Sequence, residues 1–152
     1  MSEVHTLMSR RPFPFSFYVF FSKAKDPTEQ ERESGVYLVE TPDARYLQKF
    51  FDPLYESAGI GISTSDDEVI AGRDSLAAIA EALRKAIEEV RTQRDEWPVT
   101  VGYRFEAFQE TPEVAIVQPA SRARLLEFLE RVDEIVRRAD EVGGYVHFGG
   151  GG

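Results

Sequence analysis

Residues 97–148 read WPVTVGYRFEAFQETPEVAIVQPASRARLLEFLERVDEIVRRADEVGGYVHF, and their changing periodicity decides the fold. Val99, Val101, Tyr103, Phe105 and Ala107 alternate with polar residues, as a strand with one buried face requires. Thr100, Arg104 and Glu106 take the other face. Residues 110–113 contain Pro112 and read as a turn, so Val114 to Val117 is the return strand of a hairpin. Pro119-Ala120-Ser121 leads into a helix whose apolar stripe is Leu125, Phe128, Leu129, Val132, Ile135, Val136 and Ala139. On its wet side Glu127, Asp133 and Glu134 stand four residues before Arg131, Arg137 and Arg138, which predicts three ion pairs. Gly143-Gly144 ends the helix, and Tyr145 to Phe148 forms a last strand. Residues 149–152 are all glycine and read as a flexible tail.

Upstream, Trp97-Pro98 closes an earlier helix, because the residue before proline avoids helical geometry. Asp74 is the expected cap of that helix. Leu76, Ile79, Ala80, Leu83, Ile87 and Val90 are its stripe, and Glu81 with Lys85 is an expected i,i+4 pair. A small hairpin over 60–71 turns at Ser65-Asp66-Asp67. Before it, Thr41-Pro42-Asp43 has the cap, first-turn proline and acid of a helix start. Leu47, Phe50, Phe51, Leu54 and Tyr55 follow helical spacing; Pro53 should kink or shorten this helix, and Gly59 should stop it.

Residues 1–12 are polar and read as a flexible arm. Phe13, Phe15, Phe17, Val19 and Phe21 then fall at period two, with Tyr18 and Phe20 on the second face, so this strand is expected to be covered on both sides. Pro14 confines its start to an edge or an irregular segment. Ser9-Arg10-Arg11-Pro12-Phe13 resembles a twin-arginine export motif, with Ser22-Lys23-Ala24 as small residues at cleavage-like spacing. The apolar run is short, aromatic and broken by Pro14, so the strand is the preferred reading and export the minor alternative. A charged loop over 22–34 separates this strand from Val36 to Val39, its hairpin partner. The order hairpin, helix, short hairpin, helix, hairpin, helix, strand is that of an α+β chain. It predicts a single two-layer domain over 1–152, a largely antiparallel sheet with about three helices packed on it.

Composition removes much chemistry. The chain of 152 residues has no cysteine and two histidines, His5 and His147, one near each end. Thiol nucleophiles and thiolate metal sites are excluded. A His-based triad would have to use a residue in a segment expected to be loosely held. The absence of cysteine is compatible with a reducing cytoplasm, the expected location. Twenty-seven acidic against eighteen basic residues give a net charge of −9, which repels nucleic acid and anionic lipid and attracts basic proteins. No apolar run approaches the roughly 20 residues of a membrane helix. His147-Phe148-Gly149-Gly150 resembles the oxyanion loop of esterases, but the nucleophile elbow G-x-S-x-G that such a loop serves is missing. Asp66-Asp67-Glu68 lacks the spacing and glycine of an EF-hand, and Gly59-Ile60-Gly61 lacks the context of a phosphate loop. No catalytic residue, metal or cofactor is assigned.

Two functions remain. One is a non-enzymatic acidic binding protein that caps a basic partner through Asp26, Glu29, Glu31, Glu33, Asp66, Asp67 and Glu68. Immunity-type inhibitors of bacterial toxins are often small acidic α+β chains, so such an inhibitor is one expectation, carried by analogy alone. The other is a small enzyme or ligand-binding domain with a pocket of Tyr37, Tyr103, Arg104 and Glu106. Self-association through aromatic strands is a third, structural role.

Overall fold

The computed structural model describes residues 6–8, 17–58, 69–104 and 114–150. They form β1 (Thr6–Met8), β2 (Phe17–Ser22), α1 (Glu29–Glu33), β3 (Val36–Leu38), α2 (Thr41–Ala58), β4 (Val69–Ala71), α3 (Arg73–Arg91), β5 (Glu96–Arg104), β6 (Val114–Ser121), α4 (Arg122–Val142) and β7 (Tyr145–Gly150). The class is α+β, as the periodicities require. The strands make two sheets rather than one. The first has the order β3-β2-β7-β4 and is antiparallel throughout; the second has the order β1-β6-β5, with β1 parallel to β6.

Four expectations about the ends and joints need correction. Thr6–Met8 pairs with Ala115, Ile116 and Val117, so part of the supposed N-terminal arm is a strand. At the other end β7 lies between β2 and β4, and its ladder runs on through Gly149 and Gly150. The expected flexible tail therefore begins inside a sheet. Glycine is needed there because Tyr18 lies across it: a Cβ on Gly149 would sit 2.3 Å from the Tyr18 Oη. The charged loop 22–34 contains the helical turn α1. Trp97-Pro98 does not close α3, which ends at Arg91 on a Thr92 cap; it belongs to β5, opposite Ala120 and Pro119.

Smaller departures have local causes. Asp74 is not the cap of α3; Gly72 holds that position, and Asp74 is a first-turn acid that favours the positive end of the helix. Glu81 pairs with Arg84 rather than Lys85, because the guanidinium offers two parallel donors, at 3.0 and 2.7 Å. Pro53 lies inside α2, which runs on to Ala58. A bulge between Thr100 and Gly102 breaks the alternation of β5. Trp97 and Val99 pack on the core and Val101 is buried, but Tyr103, beyond the bulge, is 58% exposed. The expected strands over 60–64 and at 105–107 lie outside the described residues, as does Phe15.

One core joins the layers. The inward face of β2 (Phe17, Val19, Phe21) meets Val36 and Leu38 of β3, Phe148 of β7, and the stripes of the three long helices. α4 packs on the first sheet, α2 on β5 and β6, and α3 touches both helices. Leu47, Ile79, Leu83, Leu125 and Leu129 are fully buried, each worth about 1.5–3 kcal/mol of transfer free energy. Gly143 ends α4 with φ +68°, and Gly144 N–H closes on Ala139 at 2.8 Å.

That C-terminal turn is tightly packed. A Cβ at Gly144 would lie 2.6 Å from the Ser22 carbonyl oxygen and 2.8 Å from the Phe21 ring. Gly144→Ala is expected to lower stability by about 1–3 kcal/mol in urea denaturation, because backbone must move. Gly102→Ala, with open space around it, serves as the neutral control.

Candidate functional site

The fold brings together three polar constellations with the residue types that chemistry or binding could use. The first is Ser22 with His147, whose Oγ and Nε2 are 2.7 Å apart. That is the separation of a nucleophile and its base. The polarity is wrong for catalysis. The Ser22 hydroxyl has one proton and gives it to the Ala24 carbonyl at 2.5 Å, so it must accept from an Nε2–H of His147. Both side chains are fully buried. The imidazole stacks on Phe20 at 4.4 Å between centroids, with 5° between planes. His147 is thus a core histidine in an internal strand, contrary to its expected loose setting.

The second is the acidic turn α1. Thr28 caps it, and the Glu31 carboxylate accepts the Thr28 N–H at 2.8 Å while Thr28 Oγ1 accepts the Glu31 N–H at 3.1 Å. Glu31 also accepts the Lys23 N–H at 2.9 Å, and at the far end Ser34 N–H reaches Gln30 and Glu31 carbonyls. Hydrogen bonds from Thr28 and Lys23 hold the Glu31 carboxyl below its ordinary value. Glu31 is therefore a structural member of the turn. Asp26, Glu29 and Glu33 are exposed around it and have no ion pair among the described residues. Asp66, Asp67 and Glu68, the other half of the expected acidic face, lie outside the described residues.

The third is a groove between β3 and α4. One stretch of about 170 Å³ runs beside Val36 to Glu40 and is faced by Arg124, Glu127 and Arg131. A second, of about 240 Å³, continues past Ser34 and Val36 to Glu134 and Arg138. At its head Asp43 is fully buried. Its carboxylate accepts the Ser121 N–H at 3.1 Å and the Arg124 Nε–H at 2.9 Å, and Arg124 also donates to the Pro119 carbonyl at 3.2 Å. Burial raises the Asp43 carboxyl above its ordinary value against the pull of Arg124, and Asp43 in turn raises Arg124. The pair ties the start of α2 to the start of α4. Sequence reading saw Asp43 only as a first-turn acid; the only local hint was Arg124 standing three residues after the Ser121 cap.

The alternative pocket is distributed differently. Tyr37 lines the groove on β3, whereas Tyr103 is on β5 in the other sheet, and each is 58% exposed. The backbone of Arg104 ends β5 beside Tyr103, and Glu106 lies outside the described residues. A further cluster escaped sequence reading. The Tyr46 hydroxyl donates to Glu89, accepts from Gln93 Nε2 at 3.1 Å, and sits edge-on to Trp97 at 4.9 Å. Burial and Glu89 push the Tyr46 hydroxyl well above its ordinary range, so it stays a donor. Lys49 salt-bridges Glu89 at 2.5 Å and lies 4.4 Å over the Tyr46 ring.

Among the described residues no three His, Asp or Glu side chains gather as a metal site would require, and no helix is long and apolar enough to cross a membrane. No family model, curated protein or solved structure matches the chain.

Two outcomes check this description. Arg124→Ala strands a buried Asp43 carboxylate and should cost on the order of 2 kcal/mol in urea denaturation, less than the 3–5 of a fully buried pair because water reaches Arg124. Glu31 should give α1 an acid limit. A carboxyl held below 4.5 in the fold contributes stability above 4.5 that is lost as pH falls through its depressed value. The Lys23 and Thr28 amide resonances should titrate together in that range, and in Glu31→Gln they should not.

Proposed function

We propose that the chain is a non-catalytic binding protein that presents a preformed acidic turn to a basic protein partner. The observation that carries this reading is the state of the four α1-region acids. One, Glu31, is consumed in holding the turn, and the other three are exposed and make no ion pair among the described residues. A turn ordered before encounter loses little conformational freedom on binding. The overall charge of −9 adds long-range attraction toward a positive surface. A secreted toxin with a basic cleft is one partner of this chemistry, and an immunity-type inhibitor is the corresponding role. The polarity of the Ser22–His147 bond supports the same side, since it leaves that pair no proton-accepting nitrogen for the serine.

Charge reversal provides the test. Wild-type chain and the variant Glu29→Lys/Glu33→Lys are immobilised side by side and exposed to lysate at low and high salt. The expected result is a basic protein retained by the wild type, released by salt, and bound at least about tenfold more weakly by the variant. Its salt dependence should also be shallower in the variant. Equal retention by both chains would refute the acidic-turn reading.

A further inference from the structure

The helix α4 was expected to pair its charges along its own wet side, and it does so only in part. Of the three i,i+4 pairs that its sequence offers, only Asp133 with Arg137 forms, at 2.9 Å. Glu127, Arg131, Glu134 and Arg138 have no ion pair among the described residues; Arg138 instead lies 4.6 Å over the Phe21 ring. All four are exposed, and all four face the groove beside β3. The floor of that groove is apolar, with Val36, Phe128 and Ile135. The groove thus has an apolar centre and a rim of unpaired charges of both signs, the anatomy of an interface.

β3 adds a second open feature. It is the outermost strand of its sheet, so one row of its backbone donors and acceptors has no ladder partner among the described residues. Val39, just beyond it, is 54% exposed. Nothing on this edge carries the lysine or proline that commonly blunts an open strand.

From these features we infer that the β3–α4 groove is the contact surface for a second copy of the chain, related by a twofold axis. The occupant is chosen by charge. A purely acidic or purely basic segment would meet repulsion from half of the rim. The rim is complementary to itself. In antiparallel α4 helices, a dyad between Val132 and Asp133 sets Arg131 against Glu134 of the second copy and Arg138 against its Glu127. Symmetry doubles these to four ion pairs, an isologous arrangement. Successive Arg residues are seven apart, about 10.5 Å along the axis, as are the two Glu residues, so one register satisfies all of them.

The strand agrees with the same axis. Val36 and Arg131 line both stretches of the groove, so the start of β3 lies level with the middle of α4. A dyad through that level pairs β3 antiparallel with its copy and continues the four-stranded sheet into eight strands. This contact uses neither Glu29 nor Glu33 and stands independently of the acidic-turn reading.

Sedimentation equilibrium from about 10 μM to about 1 mM at low salt tests it. The wild type is expected to pass reversibly from monomer to dimer, with high salt weakening the dimer. Arg131→Glu places two carboxylates opposite each other and should raise the dimer dissociation constant at least about tenfold, and Glu134→Arg should do the same with two guanidinium groups. The double variant Arg131→Glu/Glu134→Arg swaps the pair and should restore the wild-type constant. Urea denaturation should show all three variants folded, since neither residue has an internal partner to lose. A wild type that stays monomeric at every concentration overturns the inference and leaves the groove to another protein's strand. A dimer indifferent to the single variants, or a double variant no tighter than either, overturns it as well.

Discussion

β7 enters its sheet between β2 and β4, and much of the first layer depends on that insertion. Ser22 and His147, bonded across the β2–β7 ladder, are 125 residues apart in the chain. The first sheet is therefore complete only when β7 joins β2, a strand more than a hundred residues earlier in the chain. Such a pairing must close a long loop before it returns any contact energy, a cost in chain entropy that grows slowly with loop length. The residues of β7 suit an internal strand. Val146 and Phe148 face the helices, while His147 faces Phe20 and Ser22. Gly149 leaves room for the Tyr18 ring. An internal strand with a polar side chain on one face must satisfy it in place, and the Ser22 hydroxyl does so.

The helical layer is held to the sheets by charge at its joints and by packing elsewhere. Asp43 joins α2 to the end of β6 and the start of α4. Arg122 does the same for the α3–β5 connection, donating to the Gln93 carbonyl at 2.8 Å and to Asp95 at 2.7 Å. Arg91 and Glu130 link α3 to α4 at 3.7 Å, exposed enough that the link is worth under about 1 kcal/mol. These contacts fix directions rather than supply bulk stability, which comes from the shared apolar core. Asp43 shows the distinction. Burial works against its charge and Arg124 only offsets it, so the pair is valuable intact and costly when halved.

Periodicity made the class legible. The stripe on α4, the alternation in β2 and the Gly143-Gly144 stop stand where sequence spacing puts them, and the stripe on α3 does so at Leu76, Ile79, Leu83 and Val90, with Ala82 and Ala86 buried in addition and Ala80 and Ile87 only partly so. What escaped was set by contacts distant in sequence. No local rule places β7 in the middle of a sheet, so its glycines read as a tail. The bulge at Thr100 and Gly102 turned Tyr103 outward because β6 pairs around it, a fact of register rather than of residue type. Trp97-Pro98 carries a sound local signal against helix, yet the helix had already ended at Arg91 and the dipeptide served a strand edge. The site was less legible still. Asp26, Glu29 and Glu33 are visible as charge, but the role of Glu31 emerges only from the capping box. Asp43 and Arg124 are 81 positions apart, beyond any spacing rule.

The two surfaces described here differ in kind. α1 offers exposed carboxylates outnumbering its one basic residue, Arg32, on a short turn, and its natural complement is an excess of positive charge. The groove beside α4 offers both signs at fixed spacing over an apolar floor, and its complement must repeat that pattern in reverse. Electrostatics of the first type acts mainly on encounter and is readily screened; the second type fixes register, since a wrong alignment brings like charges together. A net charge of −9 would itself oppose association of two identical chains. An interface between them must therefore lie where the local charge pattern is mixed, and on this molecule the β3–α4 groove is such a place.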